Sequence, residues 1–168
     1  MRVQDVMRKS PKSCSPSTNL ARVTELLRFG ACGALPVVDL DGGVVGIITD
    51  RDICLALGTR NLRPSEVTAR EAMNRPVATC RSSDEIHTAL NIMRTRKVRR
   101  IPVVGQTGKL EGILSLSDLV LQARHDDGCR PQLSYEDVMG ALRSIDCHHA
   151  PVMAEGFDEA CIPCSCGK

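Results

Sequence analysis

Two stretches of this chain place a hydroxyl three residues ahead of a carboxylate, each at the end of an apolar run. They are Gly46-Ile47-Ile48-Thr49-Asp50-Arg51-Asp52 and Gly112-Ile113-Leu114-Ser115-Leu116-Ser117-Asp118. Each reads as a strand running into a helix. At a helix start, free backbone N–H groups and the helix dipole favour anions, so a neighbouring hydroxyl can take a phosphate or ribose oxygen. A carboxylate one turn later can accept both hydroxyls of a ribose diol. The spacing has a plainer use as well. Ser/Thr-x-x-Asp also caps a helix, satisfying the same N–H groups with no ligand present. Duplication would copy a cap as readily as a binding site, so both readings stand on sequence.

The elements that carry these motifs form a repeat. Shifting the chain by 66 residues, without gaps, sets Met7 on Met73, Cys14 on Cys80 and Arg28 on Arg94. It also sets Pro36-Val37-Val38 on Pro102-Val103-Val104, Gly42 on Gly108, Gly46-Ile47 on Gly112-Ile113 and Asp52 on Asp118. Each copy predicts the same elements. Polar clusters at Ser17-Thr18-Asn19 and Ser82-Ser83-Asp84 read as helix N-caps, and Ser82 with Glu85 as a capping box. Ile86, Ala89, Leu90 and Met93 then make a core-facing helical stripe. Strands follow over Leu35–Asp39 and Ile101–Val104, Gly-rich turns, and second strands over Val44–Thr49 and Leu110–Ser115. Short helices over Asp50–Leu57 and Leu116–Ala123 close the copies, with a connector from Gly58 to Pro64. A unit of about sixty residues buries little surface alone. Two such units packed together create clefts between them, where ligands commonly sit.

Composition narrows the function. The chain has 168 residues, no Trp, two Phe and one Tyr. Aromatic stacking of single-stranded nucleic acid is therefore not expected. Residues 1–123 carry 18 Lys and Arg against 12 Asp and Glu, while residues 124–168 carry 4 against 8. A basic body can attract phosphate, and an acidic tail can dock on it. The run Arg94-Thr95-Arg96-Lys97-Val98-Arg99-Arg100 reads as a solvated helix end whose cations suit the negative C-terminus, with Arg100 lent to a cleft. No nucleic-acid reader motif accompanies it, so nucleic-acid binding is not expected. Nor is membrane association, since no apolar run approaches a membrane span. The nine cysteines are odd in number and mostly scattered, which fits a reducing, cytoplasmic setting better than a disulfide framework. Cys14 and Cys80 read as small core residues. No nucleophile–base pair or cofactor fingerprint stands out, so an enzyme is not expected.

Taken as a whole, the pattern resembles the cystathionine-β-synthase (CBS) domain. The Leu-Pro-Val-Val-Asp strand, Asp-Gly turn and Gly-Ile-Ile-Thr-Asp-Arg-Asp-Ile close carry the resemblance, over about residues 1–123. The tandem looks like a Bateman module in a stand-alone regulatory protein. The resemblance implies an α/β (α+β) fold with two βαββα units related by pseudo-twofold symmetry, over residues 1–62 and 63–123, and a homodimer. It implies adenosine ligands of the AMP, ADP, ATP, NAD or S-adenosylmethionine class, AMP or ATP foremost, as a regulatory ligand rather than a required cofactor. The family's ribose-binding Asp falls on Asp52 and Asp118, and its hydroxyl residue on Thr49 and Ser115. At the cleft the copies differ: Ala34, Leu35 and Pro36 in the first stand where Arg100, Ile101 and Pro102 stand in the second. Small residues leave room for a base, while Arg100 can reach a phosphate as a planar fork. Arg51 has Ser117 as its counterpart. The two clefts are therefore expected to differ in ligand or affinity, with the ligand state read by an effector protein in trans.

Residues 124–168 form an appendage. Ser134-Tyr135-Glu136-Asp137 opens a helix to about Ile145, with Val138, Ala141, Leu142 and Ile145 on one face, set to pack on the module or a dimer partner. Beyond it, Cys147, His148, His149, Cys161, Cys164 and Cys166 are candidate thiolate and imidazole metal ligands. Their spacing matches no standard finger, and a Cys-bearing terminus without metal is the expectation. The alternative function is a metal or redox sensor run from these residues, with the paired units as a dimerisation scaffold.

Overall fold

The computed structural model describes residues 1–125 and 133–147. Alternating aliphatic residues around a Gly turn build one hairpin in each copy. The first copy runs β1 (Arg8–Lys9), α1 (Leu20–Gly30), β2 (Ala34–Val38), β3 (Val44–Thr49) and α2 (Asp50–Arg60). The second runs α3 (Ala69–Ala72), β4 (Cys80–Arg81), α4 (Ile86–Arg96), β5 (Arg100–Val104), β6 (Leu110–Ser115) and α5 (Leu116–Gln122), before α6 (Tyr135–Asp146). Strands β2 and β3 are antiparallel with Ala34 opposite Thr49, and β5 and β6 with Arg100 opposite Ser115. Both hairpins shift register at the same place, between Val37 and Val38 and between Val103 and Val104. Gly42 and Gly108 supply the positive φ that their turns require.

The segment leading into each copy completes the other one. Strand β1 pairs with β6, so the second sheet has the order β1-β6-β5-β4. In the first sheet the matching edges are single bridges, Asn74 to Ile47 and Cys14 to Val37. Val3, fully buried, belongs to the second unit's core, and Val67, Ala69 and Met73 to the first's. Met7 lies against Gly112 and Met73 against Gly46, so closely that a Cβ at either glycine would fall within 2.5 Å of the methionine sulfur. The glycine that opens each Gly-apolar-apolar-Ser/Thr motif thus makes room for the exchanged leader.

This exchange also changes how the helices begin. Ser82 and Glu85 do not form the expected capping box; Glu85 is the N-cap of α4 and offers no side-chain bond. Instead the Ile86 N–H donates to the Met1 carbonyl, at 3.2 Å. The equivalent Leu20 N–H of α1 donates to the Val67 carbonyl at 2.9 Å, while Asn19 rather than Ser17 or Thr18 caps the helix through its side chain. A carbonyl delivered by the other copy's leader does the work that local Ser would otherwise do. Helix α2 runs past Leu57 to Arg60, where Asn61 ends it in the left-handed region, so the connector is shorter than the sequence predicts.

Helix α6 packs on the second unit. Val138, Ala141 and Ile145 join its core, with Leu142 beside them. Lys97 donates to the Ser144 carbonyl and Arg99 pairs with Asp146 at 2.5 Å, so the acidic segment docks on the basic run at the end of α4.

Because each leader stabilises the unit it does not precede, Val3→Ala and Val67→Ala should each lower stability by about 2 kcal/mol, the scale of a truncated core aliphatic. Chemical denaturation measures this, and losses near zero would contradict the exchange.

Candidate functional site

Both Ser/Thr-x-x-Asp motifs fold as reciprocal caps. Thr49 Oγ1 donates to Asp52 Oδ2 (2.7 Å) and accepts from the Asp52 N–H (3.2 Å). Ser115 Oγ does the same with Asp118, at 2.5 and 3.2 Å. Ser134 with Asp137 and Thr68 with Glu71 repeat the arrangement at α6 and α3. The motif alone therefore marks a helix start. In each, the hydroxyl's one proton is already given to the carboxylate. Any further ligand bond must come from the carboxylate's remaining capacity and from neighbouring groups.

What separates the two motifs is the environment of the second carboxylate oxygen. Asp118 is the one buried charged side chain among the described residues. Its Oδ2 is held by the Ser115 N–H and hydroxyl, while its Oδ1 faces a cleft and accepts from Arg8 Nε at 3.0 Å. The cleft has a volume of about 310 Å³. Its walls are Gly33 and Ala34 of the first unit, Arg100, Ile113, Ser115, Ser117 and Asp118 of the second, and Arg8, Lys9 and Lys12 of the first leader. Arg100 lies close against Gly33; a Cβ there would stand 3.3 Å from its Nη2. Asp50 reaches the same position from the start of α2, its Oδ2 3.4 Å from such a Cβ.

Asp52 has a different setting. Its Oδ2 is held by Thr49, but Asn74 stands at the position of Arg8, bridged to Ile47 as Arg8 is to Ile113. Asp52 borders a shallow depression of about 230 Å³ shared with Arg60 and Glu71. A second carboxylate beside it opposes an anionic ligand.

The sequence-predicted residues thus divide. Ala34, Arg100, Ser115 and Asp118 come together at one cleft, so the Ala34–Arg100 mismatch lies across a single cleft rather than between two. Leu35 and Ile101 are core residues, and Pro36 and Pro102 are buried in their hairpins opposite Ile47 and Ile113. Thr49 and Asp52 stand apart from this cleft, and Arg51 is exposed on the first turn of α2. Arg8, Lys9, Lys12 and Ile113 were missed, and the 66-residue register held one clue, Arg8 opposite Asn74. Among the described residues no three His, Cys, Asp or Glu side chains are grouped to hold a metal. Cys147 is exposed just beyond α6, and His148, His149, Cys161, Cys164 and Cys166 lie outside the described residues. Among the described residues no helix is long and apolar enough to cross a membrane.

The family model for the CBS domain matches the chain twice, over residues 3–59 and 69–124. Protein MK0525 of Methanopyrus kandleri is 30% identical over 118 residues, 70% of this chain and 60% of its own length. The inosine-5'-monophosphate dehydrogenase of Mycobacterium tuberculosis is 33% identical over 115 residues, covering 68% of this chain but 21% of the dehydrogenase. Solved structures share the fold. Hypoxic Response Protein I with two coordinated zinc ions gives a TM-score of 0.68 at 27% identity, covering 74% of this chain and 100% of that one. CBSX2 in complex with AMP gives 0.61 at 28%, covering 71% and 93%. The CBS domain pair of MJ0100 with 5'-methylthioadenosine and S-adenosyl-L-methionine gives 0.65 at 26%, covering 72% and 94%.

Two thiols are set apart by burial. Desolvation pushes Cys14 up to about 11, and desolvation with the nearby Asp84 charge pushes Cys80 up to about 12. Both stay protonated at pH 8, so a thiol reagent should modify cleft-lining Cys32 and exposed Cys54 and spare Cys14 and Cys80 until the chain unfolds. Peptide mass spectrometry reads the pattern; equal labelling of all four would contradict it.

Proposed function

The chain belongs to the CBS-domain family, and from that premise we propose that its paired units form a regulatory module for an adenosine nucleotide, AMP or ATP foremost. One observation carries the reading. Asp118, a buried carboxylate, opens on a cleft whose walls come from both units and from the leader that joins them. The ribose diol donates to Asp118, the base lies along Ala34 and Ile113, and the phosphates meet the basic wall. The AMP complex of CBSX2 and the adenosyl complexes of the MJ0100 pair support this ligand class.

A ligand that touches both units favours the arrangement of those units in which it fits, and so shifts the population between arrangements. An effector protein in trans reads that shift, and no catalysis is needed. Leu55 on α2 and Leu121 on α5 occupy equivalent positions 66 residues apart and are both exposed, which suits a homodimer that covers them with two-fold symmetry. The metal-sensor alternative finds support in the zinc-bearing structure of Hypoxic Response Protein I. It requires the ligand set that begins at Cys147.

A thermal-shift series with AMP, ADP, ATP, NAD and S-adenosylmethionine tests the reading, because a ligand at a hundred times its Kd stabilises the fold by about 2.7 kcal/mol. Asp118→Asn should weaken binding at least tenfold, about 1.4 kcal/mol, and Asp52→Asn far less. Equal losses from the two, or no shift from any ligand at millimolar concentration, would refute it.

A further inference from the structure

We infer that Arg8 is an internal stand-in for the ligand at Asp118, and that its displacement makes this cleft select a phosphate-bearing nucleoside over an uncharged one. The inference rests on the adenosyl reading above and adds what decides between ligands within that class. Arg8 Nε donates to Asp118 Oδ1 at 3.0 Å, at the oxygen that a ribose diol needs. The Asp118 side chain is 9% exposed, while that of Arg8 is 66% exposed. The two partners therefore have very different stakes in the pair.

A nearly buried carboxylate without a partner is costly, so Asp118 accepts either the guanidinium or a ligand's hydroxyls. Arg8 is mostly in solvent already, so its guanidinium is readily rehydrated on release. Once displaced, however, it remains a cation at the rim of a cleft that also holds Lys9, Lys12 and Arg100. Asp118 is the acidic residue of that lining, and Asp50 approaches Gly33 beside Arg100. A ligand that brings a phosphate gives the freed guanidinium a new charge-assisted partner. Adenosine takes the Asp118 hydrogen bond but brings no anion for the freed guanidinium and the three cations that share its cleft. A sulfonium nucleoside adds a further positive charge. The exchange thus costs least when the ribose and the phosphate belong to one molecule.

The first copy supplies an internal control. Asn74 occupies the position equivalent to Arg8 at the edge of the first hairpin, paired to Ile47 as Arg8 is paired to Ile113. The fold therefore accepts Asn at this place in the sheet edge, and Arg8→Asn removes the cation while keeping the backbone pairing.

Calorimetric titration of the full chain with adenosine and with AMP, on wild type and Arg8→Asn, tests the exchange, with unfolding midpoints confirming that the variant folds. Wild type should prefer AMP to adenosine at least tenfold. Arg8→Asn should lower AMP affinity about tenfold while leaving adenosine binding unchanged or tighter, so that the preference collapses. Equal weakening of both ligands by Arg8→Asn, or a wild type that binds adenosine as tightly as AMP, would overturn the inference and leave the adenosyl reading standing. Failure of wild type to bind either would overturn the inference, and the adenosyl reading would fall with it only if ADP, ATP, NAD and S-adenosylmethionine also produced no thermal shift.

Discussion

Each unit of this protein is finished by a strand of chain that belongs, in sequence, to the other. The Met1 carbonyl takes the first free N–H of α4 and the Val67 carbonyl that of α1, while Arg8 and Asn74 line the edges of the two sheets. Glycines 46 and 112 leave space for Met73 and Met7 to lie on the hairpins. A sixty-residue unit with an open sheet edge and uncapped helix start would be marginal alone. Exchanging leaders closes both defects at once and fixes how the units meet.

The candidate site follows from that exchange. The leader that completes the second unit must return to the first, and on its way it passes the face where Ser115 ends strand β6 and Asp118 lies on the first turn of α5. Arg8 is set against Asp118 by the pairing of β1 with β6, and Lys9 and Lys12 are carried over the cleft by the chain that follows. Gly33 and Ala34 then close the far wall with Arg100 beside them. A ligand in this cleft would touch three separate pieces of the structure. Binding there would be tied to the relation between units, which is the physical requirement for a regulatory module.

Much of the fold was readable because its signals are local. Strands β3 and β6 begin and end where alternation and Gly turns place them, and the stripe of α6 buries Val138, Ala141 and Ile145 as its period predicts. The errors arose where a partner from elsewhere in the chain replaced a local one. Ser82 and Glu85 form no capping box because the leader supplies a carbonyl instead. Leu35 and Ile101 sit next to cleft residues in sequence yet point into the cores, since alternate strand residues face opposite sides. The site was half readable. Asp118 and Ser115 stand out by motif, but the motif also fits the plain caps at Ser134 and Thr68. Arg8 carries no motif, and its importance comes from a partner 110 residues away.

A crystal structure of the chain grown with millimolar ATP decides whether the cleft between Ala34 and Asp118 is the ligand site. An adenosyl group should occupy that cleft, its ribose hydroxyls within hydrogen-bond distance of the Asp118 carboxylate and Arg8 moved off Oδ1. Nucleotide bound beside Asp52 alone, or a cleft without nucleotide in which Arg8 still holds Asp118, would contradict it.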